Sequence, residues 1–149
     1  MASRRGYREV RGLTPDAAKK RPTLLIVDDE AQILSALKRS LRREGYEIVA
    51  VESAAAALRI LDERCVDVIL SDHKMPGMSG MQLLARAAEI RPDAVRMLIT
   101  GWTQEIPSER LEEVGICALI TKPWSDAKLK ATLREVMGAA QVSSPREGG

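Results

Sequence analysis

The chain of 149 residues contains no phenylalanine, and aromatic residues make up only 3% of it. An interior with so few rings must be built from Ile, Leu, Val, Ala and Met. That set suits a parallel sheet buried under helices better than an aromatic-rich sandwich or barrel. Cysteine is scarce too. Cys65 and Cys117 each sit beside an apolar run, with neither a Cys-x-x-Cys spacing nor a Cys/His cluster to suggest zinc. They read as buried, reduced thiols, which fits the cytoplasm. No apolar stretch approaches the roughly 18 residues that a membrane helix needs. The N-terminal charges are not followed by the apolar core of a secretory signal. A cytoplasmic protein without membrane contact is the expectation.

Net charge is also low, at +2, too small on its own to argue for nucleic acid. Its distribution is uneven. Through Pro22 the chain carries Arg4, Arg5, Arg8, Arg11, Lys19, Lys20 and Arg21 against Glu9 and Asp16. That leader is basic, about +5, so the rest must be slightly acidic. Residues 1–22 read as a flexible basic extension, 23–138 as one compact domain, and 139–149 as a flexible tail.

What is present from Thr23 onward is a repeated cycle. Residues 23–27 form a short continuous apolar run that ends in Asp28-Asp29-Glu30, as fully buried strands do. Ile33, Leu34, Leu37 and Leu41 then recur at helical spacing, with Gly45 as the stop. Ile48–Val51 reads as a second strand, and Ser53 as the N-cap of an Ala-rich helix reaching about Arg64. Val66–Leu70 is a third strand followed by Asp72. Pro76, Gly77 and Gly80 make the next turn, and Leu83, Leu84, Ala87 and Ile90 mark a helix closed by Pro92. Arg96–Thr100, a short helix over Pro107–Val114, a strand over Cys117–Thr121 and a helix from Ser125 to Met137 complete the series. Five such units imply a doubly wound five-stranded parallel sheet flanked by five helices.

Sheets of this kind bind ligands outside the carboxyl ends of their strands. The first strand ends at Asp28 and Asp29, the third at Asp72, the fourth at Thr100 and the fifth at Lys122. Two carboxylates about 4 Å apart repel by roughly 4 kcal/mol at an effective dielectric near 20. Three of them therefore call for a counter-charge, and a magnesium ion with carboxylate, water and phosphate ligands supplies it. A carboxylate can act as a nucleophile toward phosphorus, while Lys122 and Thr100 can hold phosphoryl oxygens. Singly, each is ordinary turn chemistry or a solvated side chain. Their convergence on one rim is what points to phosphoryl transfer.

Ile26-Val27-Asp28-Asp29-Glu30, Asp72-His73-Lys74-Met75-Pro76-Gly77-Met78-Ser79-Gly80, Thr100-Gly101 and Lys122-Pro123-Trp124 together resemble the receiver domains of response regulators, in content, order and spacing. The resemblance runs from about Thr23 to Met137 and implies a CheY-like, flavodoxin-like fold acting in two-component signalling. It implies Asp72 as phospho-acceptor and Asp29 as a direct magnesium ligand. Asp28 would hold the ion mainly through water, with the Lys74 backbone carbonyl as a further ligand. Thr100 and Lys122 would contact the phosphoryl group, Gly101 would leave the acceptor accessible, and Lys122-Pro123 would be cis. The implied partners are a sensor histidine kinase or phosphotransfer protein and a downstream protein target, with a homodimer possible through the face of the fourth helix, fifth strand and fifth helix. The chemistry is confined to the chain's own phosphorylation and dephosphorylation, so it is not read as an enzyme. With only a short tail after Met137, it reads as a stand-alone receiver.

Several positions depart from the family pattern. Leu119 stands three residues before Lys122, where many members carry Tyr or Phe, so no aromatic ring can report phosphorylation there. Trp102 is expected to cover its loop, Trp124 to pack, and His73 to be structural or solvent-facing on the side away from the site. A phosphatase of the haloacid-dehalogenase type also uses an Asp nucleophile with magnesium, but it places that Asp after the first strand and a second acid two residues later. Here the candidate follows the third strand. Binding of nucleic acid through the leader would be salt-sensitive and sequence-independent. A solvated tail is the preferred reading, and nucleic acid is not expected as a partner.

Overall fold

The computed structural model describes residues 21–101 and 106–148, with side chains to residue 138. The basic leader through Lys20 and the loop position Trp102 lie outside the described residues. Among the described residues, five strands, β1 (Thr23–Val27), β2 (Glu47–Val51), β3 (Val68–Asp72), β4 (Val95–Gly101) and β5 (Ile116–Lys122), alternate with five helices. The helices are α1 (Ala31–Leu41), α2 (Ala54–Glu63), α3 (Gly80–Ile90), α4 (Ser108–Val114) and α5 (Asp126–Gly148). All pairings are parallel, in the order β2-β1-β3-β4-β5. This is the doubly wound fold expected, with β2 at one edge and β5 at the other.

Alternation along the strands sorts the core onto two faces. Leu24, Ile26, Val68, Leu70, Met97 and Ile99 pack under α1 and α5, against Leu34, Leu37, Leu41, Leu129 and Leu133. Leu25, Val27, Ile69 and Leu98 point the other way, toward Ala57 and Leu61 of α2, Leu83, Leu84 and Ala87 of α3, and Val114 of α4. Burying each such Leu or Ile contributes about 1.5–3 kcal/mol relative to exposure, so both faces of β1 and β3 must be covered. Their five-residue stretches are buried throughout.

Local signals place the helices. Ser53 accepts the Ala56 amide at 3.1 Å. Ser79 and Gln82 form a reciprocal capping box, Ser79 Oγ accepting the Gln82 amide at 3.2 Å and Gln82 Oε1 accepting the Ser79 amide at 2.9 Å. Gly115 ends α4 at φ +75°, a left-handed conformation that glycine adopts without steric cost.

Some expectations need correction. Cys65 and Cys117 are free thiols, but both are exposed rather than buried. Cys65 lies in the turn between α2 and β3, and Cys117 on the edge strand β5, so their apolar neighbours marked an element without marking its inward face. β3 starts at Val68, not Val66, because its ladder begins at the Leu24–Val68 pair. α5 continues through Gly148 rather than ending near Met137. Among the described residues, no helix is long and apolar enough to cross a membrane.

Candidate functional site

The register brings the strand ends level. Val27 pairs with Ser71, Asp72 with Ile99, Thr100 with Thr121 and Gly101 with Lys122. Asp28 and Asp29 therefore leave β1 beside the end of β3, while Thr100 and Lys122 arrive from β4 and β5. Carboxylate oxygens of Asp28, Asp29 and Asp72 all lie within 4.8 Å of one another. Asp28 is fully buried, Asp72 and Thr100 nearly so at 6% and 5% exposure, and Asp29 faces solvent. The Lys122 ammonium sits 3.1 Å from both Asp28 Oδ2 and Asp72 Oδ1. Asp28 Oδ1 accepts the Glu30 amide at 2.9 Å, which holds the β1–α1 turn against the cluster. The Lys122-Pro123 peptide bond is cis, as expected.

One ammonium serves two buried acids, and the electrostatics follow. Burial lifts the Asp72 carboxyl above the usual aspartate value, and the charge of Asp28 adds to this. The Lys122 hydrogen bond and charge, with the His73 amide, pull it back only in part. Burial pushes the Lys122 ammonium down, yet the bonds and charges of Asp28 and Asp72 carry it above the ordinary lysine value. A cluster with this surplus of negative charge suits a hard divalent cation with oxygen ligands. The donor set offered is three carboxylates, one of them solvent-facing.

Three features were not legible in the sequence. Ser71, fully buried, donates its hydroxyl to the Asp72 carbonyl at 2.9 Å. Gly80, which reads as a turn residue, is needed for close approach instead: a Cβ there would overlap the Asp72 carbonyl oxygen and lie 2.9 Å from His73 Cα. The Gly80 amide donates to the His73 carbonyl at 2.7 Å. These contacts seat the start of α3 directly on the backbone of β3. Of the two roles expected for His73, structural or solvent-facing, the surroundings of its ring fit the first. It is half-buried, and its Nδ1 is shielded without a hydrogen-bond partner among the described residues, so it is not simply solvent-facing. Burial holds the His73 imidazole below the usual histidine value, with the Asp72 charge opposing and the Lys74 charge assisting.

Lys74 follows in the turn with its side chain exposed. A Cβ at Gly101 would meet nothing within 4 Å. Leu119, at 45% exposure, is the large hydrophobic side chain left in solvent among the described residues. Trp124 is partly buried against the α1/α5 face, as a packing residue should be.

Residues 24–134 match the family model for the response regulator receiver domain. The chain belongs to that family. This receiver domain is 41% identical over 126 residues to the hydrogenase transcriptional regulatory protein HoxA of Bradyrhizobium diazoefficiens, covering 84% of this chain and 26% of that protein. It is 35% identical over 132 residues to the phosphate regulon transcriptional regulatory protein PhoB of Pseudomonas aeruginosa, covering 85% and 58%. The chain thus spans about a quarter of the first of these relatives, and the remainder of HoxA has no counterpart in the alignment. Among solved structures, a CheY-like response regulator receiver domain protein from Methanospirillum hungatei superposes with a TM-score of 0.78 at 29% identity, over 83% of this chain and 98% of that one. The signal receiver domain of an HD domain-containing protein from Pseudomonas fluorescens gives 0.75 at 31% identity, over 82% and 98%. The fold is that of the CheY-like receivers.

Proposed function

We propose that this receiver domain is a phosphorylation-dependent switch in which Asp72 accepts a phosphoryl group from the phosphohistidine of a sensor kinase or phosphotransfer protein. The observation that carries the reading is the shared ammonium. Lys122 bridges Asp28 and Asp72 at 3.1 Å each, at the one rim where a nucleophilic carboxylate, a pair of further acids and a buried hydroxyl meet. Asp28, Asp29, Asp72 and the Lys74 carbonyl would hold a magnesium ion, which supplies charge neutralisation for the incoming phosphoryl oxygens.

An Asp72 carboxylate oxygen forms the new bond to phosphorus as the phosphorus–nitrogen bond of the donor breaks. The electron pair leaves with the imidazole, which takes up a proton. Lys122 turns from the Asp72 carboxylate to a phosphoryl oxygen, and Thr100 donates its hydroxyl to another. Catalysis of this kind is positioning and electrostatics. The new charge biases the domain between two states, and hydrolysis of the acyl phosphate resets it. The domain spans residues 23–138 in this reading, its chemistry acts on itself alone, and the exchange takes place in the cytoplasm. Its output passes to a protein target, with a homodimer as one form that output can take.

The test is intact mass after incubation with acetyl phosphate and magnesium. Wild type gains one phosphoryl group and Asp72→Asn gains none. Equal labelling of both would place the acceptor elsewhere, and turnover of an added phosphomonoester would revive the hydrolase alternative.

A further inference from the structure

One carboxylate oxygen joins three elements beside the Lys122 root. Asp126 Oδ1, on the first residue of α5, accepts the Ser40 hydroxyl of α1 at 2.6 Å and the Trp124 indole N–H at 3.2 Å. An acid in the first turn of a helix ordinarily serves that helix's own free amides. Here Ser125 does that work: its Oγ accepts the Lys128 amide at 3.2 Å and its carbonyl the Leu129 amide at 2.9 Å. The Asp126 carboxylate is turned sideways, across to α1 and back to the loop that carries Lys122.

The surroundings do not hold that loop by packing alone. Ala36, Arg39, Ser40, Pro123, Trp124 and Asp126 line an open groove of about 390 Å³, so the loop meets solvent on this side. Lys122 must nonetheless present its ammonium to Asp28 and Asp72 at the end of a flexible four-carbon stem. A stem of that kind aims reproducibly only when its root is fixed.

We propose that the Ser40–Asp126–Trp124 bridge is a positioning device for Lys122, and that it sets the rate of phosphoryl transfer without contributing to binding of the metal ion. The inference rests on the phosphoryl-transfer reading above. The separation of rate from ion binding follows from topology. The three acids that would hold the ion come from the ends of β1 and β3, which the bridge does not touch, whereas Lys122 alone comes from β5.

The test is the rate of Asp72 labelling by acetyl phosphate across a magnesium titration, with thermal melting of each variant alongside. Asp126→Ala and Trp124→Phe lower the maximal rate roughly three- to tenfold, the scale of one or two exposed hydrogen bonds, with the half-saturating magnesium concentration held within about twofold. Asp126→Asn keeps an oxygen that can accept both bonds and regains most of the rate, an outcome that a general loss of stability would not give. Ser40→Ala is the mildest change and shifts the rate in the same direction, which keeps the test open should Asp126→Ala fail to fold. Wild-type rates in Ser40→Ala and Trp124→Phe overturn the proposal. So does a rate loss matched by an equal shift in magnesium half-saturation, or an Asn variant as slow as the Ala variant. If wild type itself takes no label, the phosphoryl-transfer reading falls and this inference falls with it. A labelled wild type with unaffected variants overturns the bridge alone.

Discussion

At the amino ends of the strands, Asp67, Arg64, Arg91 and Arg96 each meet a matching group. Asp67 Oδ2 accepts the Thr23 amide at 2.7 Å, and Arg64 reaches both Thr23 Oγ1 at 3.3 Å and the Glu47 carboxylate at 3.2 Å. Arg91 Nε donates to the Leu61 carbonyl at 2.8 Å, closing the end of α2. Arg96 spreads its guanidinium over the carbonyls of Val114, Pro92 and Ala94 at 2.9, 3.3 and 3.1 Å. At the carboxyl ends of the same strands, three acids face one lysine, and the two most buried share it. Both ends are built on one hydrogen-bonded sheet, so the difference is not one of rigidity. A polar group that serves the fold finds its complement within the chain. A group that serves a ligand is left short of one, and the fold bears the cost.

Gly80→Ala produces the largest effect, because the added Cβ would press on the Asp72 carbonyl, which is backbone and cannot turn aside. We expect a loss of about 3 kcal/mol or more, read by urea unfolding. Lys122→Ala comes next. It strands Asp28 and Asp72 without a cation and costs about 2 kcal/mol at neutral pH without divalent ions. Equal losses for Arg64→Ala, an exposed pair expected to give about 0.5 kcal/mol or less, would erase the contrast between the two ends. Asp72→Asn acts in the opposite direction. Removing one of the crowded charges should raise the magnesium-free melting point, by about 1 kcal/mol of stability, and an unchanged or lower melting point would contradict the crowding.

The smallest effect is at the amino end and concerns pH. Burial raises the Tyr46 phenol above its ordinary value of 10.0, with Glu44 adding and Arg134 opposing. A raised folded value means that the stabilising difference is full below the unfolded value. It is lost as pH climbs from about 10 through the folded value. Tyr46→Phe should therefore be indistinguishable in pH dependence near pH 8 and flatter above about 10, measured by urea midpoints.

The readable parts of the molecule were those with a one-dimensional signature. β1 and β3 stood out because strands covered on both faces cannot alternate. Asp28, Asp29, Asp72, Thr100 and Lys122 could be grouped because parallel strands put their carboxyl ends on one rim. The thiols misled because Cys65 and Cys117 neighbour apolar residues along the chain while facing outward in space. The last helix, read as Ser125 to Met137, runs on to Gly148 instead. Ser71 and Asp126 gave no signal, and Gly80 signalled a turn without its close approach to Asp72. Each matters through a contact with the backbone or with another element, and such contacts exist only once the sheet has aligned its strands.

The contrast between the two ends is tested most directly by the melting temperature of the wild-type chain with and without magnesium, beside Asp29→Asn and Arg64→Ala. A carboxyl end left short of positive charge predicts that magnesium raises the melting temperature of wild type and Arg64→Ala alike, and that Asp29→Asn loses most of the rise. No rise in wild type, or the same rise in Asp29→Asn, would contradict it.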